Sequence, residues 1–251
     1  MSTVIFSRIC ALGRTYDLFP VSELPRDSEP YRDRRDSEVD TAFLLPCESA
    51  DAEVVVVGED TPSASASLAA AMFLCLVRGL PLDETDILSR GKIYKVTYDE
   101  KNDEFCVLVQ KCKLLLSNIA ISVNEMPLFV DIVGYGDERL SVSECSDAEH
   151  FSVESLRRIY TELRSNGTSG ALAFSISGTQ AVARGFFPYS TRERTVEIAC
   201  AVAAMPSARR AGDLLKIQID DTSLYCRQCG QSVAISGERI APLTLAAPDI
   251  F

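Results

Sequence analysis

The residues best suited to move a proton in this chain are carboxylates close to the starts of two apolar helical stretches. Glu59 and Asp60 precede the run Thr61-Pro62-Ser63-Ala64-Ser65-Ala66-Ser67, which leads into an Ala/Leu-rich segment over 66–80. Glu193 and Glu197 flank Thr195 at the start of a second Ala-rich segment, 195–205. A helix start leaves backbone N–H groups without intrahelical partners and carries the positive end of the helix dipole. It can therefore hold a small carboxylate without any particular side chain. Thr61, Ser63, Ser65 and Ser67 would add hydroxyl donors at the first start, and Thr191 and Thr195 at the second. Proton transfer then needs a base of suitable pKa. Desolvation at a helix start would raise the pKa of Glu197 and fit it to act as base and then acid. The helix dipole pulls the other way. Each feature also has a purely structural reading. Glu193 and Glu197 suit the first turn of a helix as acids, the Ser/Ala run suits a tightly packed N-cap, and Arg14 suits an exposed turn as well as an anion clamp.

Other chemistries lack their residues. His150 is the chain's one histidine, so no Ser–His–Asp triad is available. Neither a GxxxxGK loop nor a GxGxxG fingerprint occurs. Cys226 and Cys229 form the one close cysteine pair, with no second pair or histidine pair to complete a zinc site. Three residues apart on a strand, they should point to opposite faces. No metal and no cofactor are expected. The nine cysteines read as reduced thiols, most of them buried.

The elements that must position these residues repeat. Each half reads as a strand, a turn into an apolar helix, and a hairpin. In the first half, strand-like 54–57 leads to the helix, and 93–98 with 105–109 make the hairpin. In the second, 171–176 and 181–187 lead to the helix, and 215–219 returns from 224 onward. Gly91 and Gly212 are read as equivalent. Almost wholly apolar helices of ~12–15 residues should be buried on all sides. Between the halves, 151–165 has Val153, Leu156, Ile159, Tyr160 and Leu163 on one face, the pattern of an amphipathic helix. Asn166-Gly167 should end it. A boundary near 116–121 gives two halves, residues 1–118 and 119–251. The expected class is α+β: two pseudo-symmetric halves, each a curved, mostly antiparallel sheet wrapped around a central apolar helix.

The 251 residues are 47% hydrophobic with net charge −11. Such acidity repels phosphate backbones, so nucleic acid is not an expected partner. The Arg32, Arg34 and Arg35 cluster is offset by Asp33 and Asp36. No stretch reaches the ~18–20 apolar residues that a membrane span needs. The first residues lack a basic-then-apolar signal pattern, and the expectation is a cytoplasmic protein.

The layout resembles the diaminopimelate epimerase superfamily, which includes phenazine-biosynthesis isomerases and methylaconitate isomerases. Residues 6–19 are similar to its opening strand and turn, 39–45 to its next strand, and 53–80 to the strand, catalytic loop and central helix of its first half. Residues 185–204 and 224–240 are similar to the second central helix and the closing hairpin. The resemblance implies a cofactor-independent isomerase whose substrate lies between the halves, and a homodimer. In the epimerases each central helix begins at a catalytic cysteine. Here Ala64 or Ser65 stands at the first such position and Glu197 at the second, with Cys75 and Cys200 too far into their helices. The substrate-gripping asparagines are absent as well. Arg14 stands at the first, and the second loop reads Gly134-Tyr135-Gly136-Asp137. A two-thiol racemase of the standard kind is therefore not expected. Two expectations remain. One is proton transfer on a small carboxylic acid by carboxylate chemistry, with Glu197, Asp60 and Glu193 as acid/base groups and Arg14, Thr61, Ser63, Ser65, Ser67 and Thr195 around the substrate. The other is an inactive relative that binds a ligand or a partner protein. His150 is read as structural.

Overall fold

The computed structural model describes residues 5–26, 31, 38–79, 83–123, 126–189, 194–237 and 243–246. The chain forms two compact units, Met1–Leu108 with Ser236–Phe251, and Val109–Ile235. The junction expected at 116–121 lies inside one strand, and the C-terminal segment groups with the first unit.

In the first unit, β1 (Ile5–Ala11) and β2 (Arg14–Pro20) form a hairpin whose two-residue turn, Leu12-Gly13, has both φ angles positive. This is the turn geometry that matches strand twist. Next come β3 (Val39–Leu45), β4 (Ala52–Val56), α1 (Ala64–Arg78), β5 (Glu84–Ser89), β6 (Lys92–Asp99) and β7 (Glu104–Gln110). A last strand, β16 (Leu243–Ala246), pairs with β1, so the order is β16-β1-β2-β3-β4-β5-β6-β7. Pairs β2/β3 and β4/β5 are parallel, and the other ladders with a known register are antiparallel. Helix α1 crosses between the parallel strands β4 and β5 and packs on β1, β2, β4, β5 and β6. Its alanines make this close approach possible: Ala66, Ala69, Ala70 and Ala71 are fully buried. Only its last turn, with Leu76 and Val77, reaches the surface before Gly79 caps it in the left-handed conformation.

The second unit runs β8 (Lys113–Val123), β9 (Met126–Tyr135), β10 (Glu138–Glu144), α2 (Val153–Leu163), β11 (Gly170–Ser177), β12 (Gln180–Phe186), α3 (Thr195–Ala204), a short α4 (Pro206–Ala211), β13 (Leu214–Ile219), β14 (Thr222–Cys229) and β15 (Ser232–Gly237). Its order is β15-β14-β13-β12-β11-β10-β9-β8. Helix α3 joins the parallel strands β12 and β13 as α1 joins β4 and β5. It packs on β9, β10, β12, β13 and β14 and is buried along nearly its whole length. Helix α2 lies on β8, β10, β11 and β12. There Leu156, Ile159 and Leu163 close a core with Val123, Val130, Ala171 and Ala173. Val153, read from the sequence as part of that face, is exposed.

The expected α+β class and the repeated strand–helix–hairpin unit are present in both units. The register of the repeat differs from the sequence reading. Residues 84–89, between the helix and the hairpin of the first half, form β5. The true counterpart of β13 is therefore β5 rather than β6, and Gly91 in the β5–β6 turn corresponds to the Asp220-Asp221 turn, not to Gly212. The alternation of Thr85, Ile87 and Ser89 inward was masked because two of the three buried side chains are hydroxyls. Pro62 precedes the N-cap Ser63 instead of opening the helix, while Pro206 does open α4. No helix among the described residues is long and apolar enough to cross a membrane.

The thiols sort by face as the strand period requires. Cys226 is buried and Cys229 exposed on β14, and none of the nine cysteines is in a disulfide. Burial pushes the Cys226 thiol up to about 12, and does the same to Cys112, where the Glu197 charge adds to it. The hydrogen bond from Ser49 instead lowers the pKa of Cys47, which is partly exposed. Since the thiolate is the nucleophile, iodoacetamide applied to the folded protein near pH 8 should label Cys47 early and leave Cys112 and Cys226 unmodified until denaturant is added. Peptide mass spectrometry reads the order directly.

Candidate functional site

At the start of α1, neighbouring strands set the geometry. Tyr16 on β2 is in register with Asp40 on β3, and Arg14 is two residues before Tyr16, so the three share one face. The Arg14 guanidinium lies 5.2 Å from the centre of the Tyr16 ring. Its Nε donates to Asp40 Oδ2 at 3.1 Å and its Nη1 to Glu59 Oε1 at 2.7 Å, with Nη2 also on Asp40. Glu59 is buried and Arg14 nearly so, at 7% and 14% side-chain exposure. Arg14 is therefore neither a surface turn residue nor an open anion clamp: two carboxylates occupy its fork.

Beneath it the hydroxyls bond to one another. The Tyr16 hydroxyl is 2.6 Å from Ser65 Oγ, and Ser63 Oγ is 3.2 Å from Ser65 Oγ. Ser63 Oγ also accepts from the Ala66 N–H as the N-cap of α1, and the Ser63 N–H donates to Ser89 Oγ. Ser67 donates its hydroxyl proton to the Ser63 carbonyl. Ser63, Ser65 and Ser67 are buried, whereas Asp60 and Thr61 are exposed. Burial raises the pKa of Tyr16, with Arg14 and the two serines acting against it, so the phenol stays protonated and serves as a hydrogen-bonding group.

At the start of α3 the second unit holds a chemically similar cluster. Arg194 stands at the N-cap without a side-chain capping bond. Its Nη2 donates to both oxygens of Glu138, at 3.0 and 3.1 Å, and its Nη1 donates to Glu197 Oε1 at 3.3 Å. Ser169 donates to Glu138 Oε2 at 3.1 Å. Burial works against the charge on Arg194, but Glu138 and Glu197 outweigh it and raise its pKa. The guanidinium lies 5.3 Å from the centre of the Phe187 ring. Glu197 retains 23% exposure and Glu138 38%. Thr195 is buried as the first residue of α3. Glu193 and Thr191 lie outside the described residues. Arg139 turns to the Asn166 carbonyl at the end of α2, and His150 is exposed beside Asp147, away from either helix start.

The sequence reading named Arg14, Glu197 and the serines but missed Asp40, Tyr16 and Glu138. Asp40 and Tyr16 sit inside strands, where a carboxylate and a phenol gave no periodic signal. The pairing of Asp40 with Arg14 follows only once β2 and β3 are known to be parallel neighbours. No group of three or more histidine, cysteine or acidic side chains able to hold a metal occurs among the described residues.

Neither a protein-family model nor a curated protein sequence matches the chain. Solved structures do. A phenazine biosynthesis PhzC/PhzF-like protein from Clostridium difficile superposes with a TM-score of 0.68 at 14% identity, over 96% of this chain and 97% of its own. A PhzF-family phenazine biosynthesis protein from Enterococcus faecalis gives 0.64 at 14% identity, over 96% and 98%. A methylitaconate-delta-isomerase gives 0.54 at 11%, over 97% and 95%. The chain has the diaminopimelate epimerase-like fold.

The Arg14 cluster holds two carboxylates around one cation, so removing the cation leaves like charges facing each other at a buried site. Arg14→Met is expected to cost on the order of 3 kcal/mol of stability at neutral pH. Arg14→Lys should restore part of the loss without the two-pronged geometry. Urea unfolding of the two variants beside the native protein measures the loss and its recovery.

Proposed function

We propose that the protein is a cofactor-independent isomerase, or a related proton-transfer enzyme, acting on a small carboxylic acid through carboxylate rather than two-thiol chemistry. The observation that carries this reading is Glu197. It stands in the first turn of α3, at the position where the resemblance to the epimerases puts a catalytic thiol. It is fixed by Arg194 and still partly open to solvent. In this reading a Glu197 oxygen takes the proton from the carbon next to the substrate carboxylate, and the electron pair passes into an enediolate. The protonated Glu197 then returns the proton at a conjugated carbon, or a second acid delivers one to the opposite face of the same carbon. Arg194 holds the base in one orientation and Glu138 holds Arg194, so Glu197 need not reorganise at the moment of transfer.

The remaining residues take supporting parts in the same proposal. Asp60 and Glu193 are second acid/base groups, and Thr61 and Thr195 are substrate hydroxyls. Arg14 acts by fixing Asp40 and Glu59 more than by gripping substrate, with Ser63, Ser65 and Ser67 shaping the start of α1. The fold neighbours support the reading, since the methylitaconate-delta-isomerase has the same fold. A cytoplasmic homodimer is part of the proposal.

One observation favours a second reading, an inactive relative that binds a ligand or a partner protein. The fork of Arg14 is taken by carboxylates, and Ser63, Ser65 and Ser67 are bonded within the protein. Deuterium wash-in separates the two. The protein is incubated in heavy water with a panel of amino, hydroxy and unsaturated carboxylic acids, and C–H exchange is followed by mass spectrometry. Exchange on at least one class of acid is expected. It should fall by about 10²-fold or more in Glu197→Gln, with a further fall in the double variant with Asp60→Asn. Absence of exchange across the panel would establish the binding reading, and full activity in the double variant would remove these carboxylates from the mechanism.

A further inference from the structure

Two glycines in the second unit have no conformational reason to be glycine. Gly170, at the start of β11, and Gly185, near the end of β12, lie outside the left-handed region that other residues avoid. Their need is space. A Cβ on Gly170 would meet the Phe187 ring at 2.4 and 2.6 Å. A Cβ on Gly185 would meet the same ring at 2.7 Å and Ile198 Cδ1 at 2.7 Å. All four distances are far inside van der Waals contact. The two bare backbones thus form a slot that takes one ring, and Ile198, in the first turn of α3, abuts the same slot. The other partner of that ring is the Arg194 guanidinium, 5.3 Å from its centre. From there the fork of Arg194 runs to Glu138 on β10 and Glu197 on α3.

We infer that Phe187 is a positioning residue: seated in the Gly170/Gly185 slot, its ring supports the Arg194 guanidinium and so fixes where Glu197 points. This rests on the proton-transfer role proposed for Glu197. A planar guanidinium over an aromatic face gains from the ring quadrupole and loses rotational freedom. That matters here because Arg194 has no capping bond of its own and its other anchors are the two carboxylates. Among the described residues, the charged and titratable groups recorded around Glu197 are Arg194 on its own helix start, Glu138 on β10 and Cys112 ahead of β8. Arg194 is the cation of this set and Glu138 repels Glu197. Loss of the ring support frees the cation that, among the described residues, holds these two like charges together.

The test uses the full chain with Phe187→Leu, Phe187→Tyr, Gly185→Ala and Arg194→Lys, each checked for folding by circular dichroism. The first readout needs no substrate: the Nε–H resonance of Arg194, assigned by its loss in Arg194→Lys. In the native protein it should lie upfield from the ring current and exchange slowly with water. Phe187→Leu and Gly185→Ala should abolish both properties, and Phe187→Tyr should keep them. If Phe187→Leu fails to fold, Phe187→Met takes its place. An unchanged Arg194 resonance in the leucine or methionine variant overturns the inference. The second readout is deuterium exchange into the acid identified above. Phe187→Leu should lower kcat about tenfold with KM within about twofold, since a misaimed base costs rate rather than binding, and Phe187→Tyr should recover it. A moved resonance with unaltered kcat overturns the catalytic role of the support. Native protein that exchanges no acid overturns the proton-transfer reading instead, and the resonance alone then decides whether Phe187 holds Arg194.

Discussion

A guanidinium shared between two carboxylates and laid against an aromatic ring stands at the start of each central helix. In the first unit it is Arg14 with Asp40, Glu59 and Tyr16, and in the second Arg194 with Glu138, Glu197 and Phe187. A buried charge is tolerated when it is paired and hydrogen-bonded. These clusters meet that demand at places where the chain has little freedom: a helix entering between parallel strands, packed by alanines. The trio of charges carries one net negative charge in each unit. The helix dipole favours that sign at an N-terminus. The charge arrangement and the helix direction therefore support each other.

The packing follows from small side chains. Ala66, Ala69, Ala70 and Ala71 on α1, and Ala199, Ala201 and Ala203 on α3, let strands approach helices on several sides, so each helix is enclosed by its own sheet. Gly170 and Gly185 extend the principle from helix to site, making room for a ring where any side chain would collide. Parallel β4/β5 and β12/β13 pairs require a crossover, and α1 and α3 are those crossovers. The site residues lie at the mouth of the crossover because that is where a strand ends and a helix begins.

Much of this was legible in the sequence. Helices α1, α2 and α3, the β6/β7 and β13/β14 hairpins and the doubling of the unit follow from composition and period. Ser63 as a cap and Glu197 in a first turn follow from residue type. What stayed hidden has physical causes. Strand β5 has inward hydroxyls, so its alternation is not hydrophobic, and missing it displaced the repeat by one strand. Asp40 and Tyr16 depend on a parallel β2/β3 register that joins residues 24 positions apart. The capture of Arg14 by Asp40 and Glu59 is a property of three separate strand ends. No local pattern encodes it, which is why the arginine read as an exposed turn or, failing that, an anion clamp.

The central claim is that a carboxylate has replaced a thiol as the proton carrier at the start of α3. Cys112 is the informative control, because its thiol lies within the field of Glu197 and burial holds it protonated. The direct measurement is solvent deuterium exchange into an acid substrate by Cys112→Ala beside Glu197→Gln. The account predicts that the cysteine variant exchanges at the native rate while the glutamine variant loses exchange. Loss of exchange in Cys112→Ala, with Glu197→Gln unaffected, would contradict it and return the chemistry to a thiol.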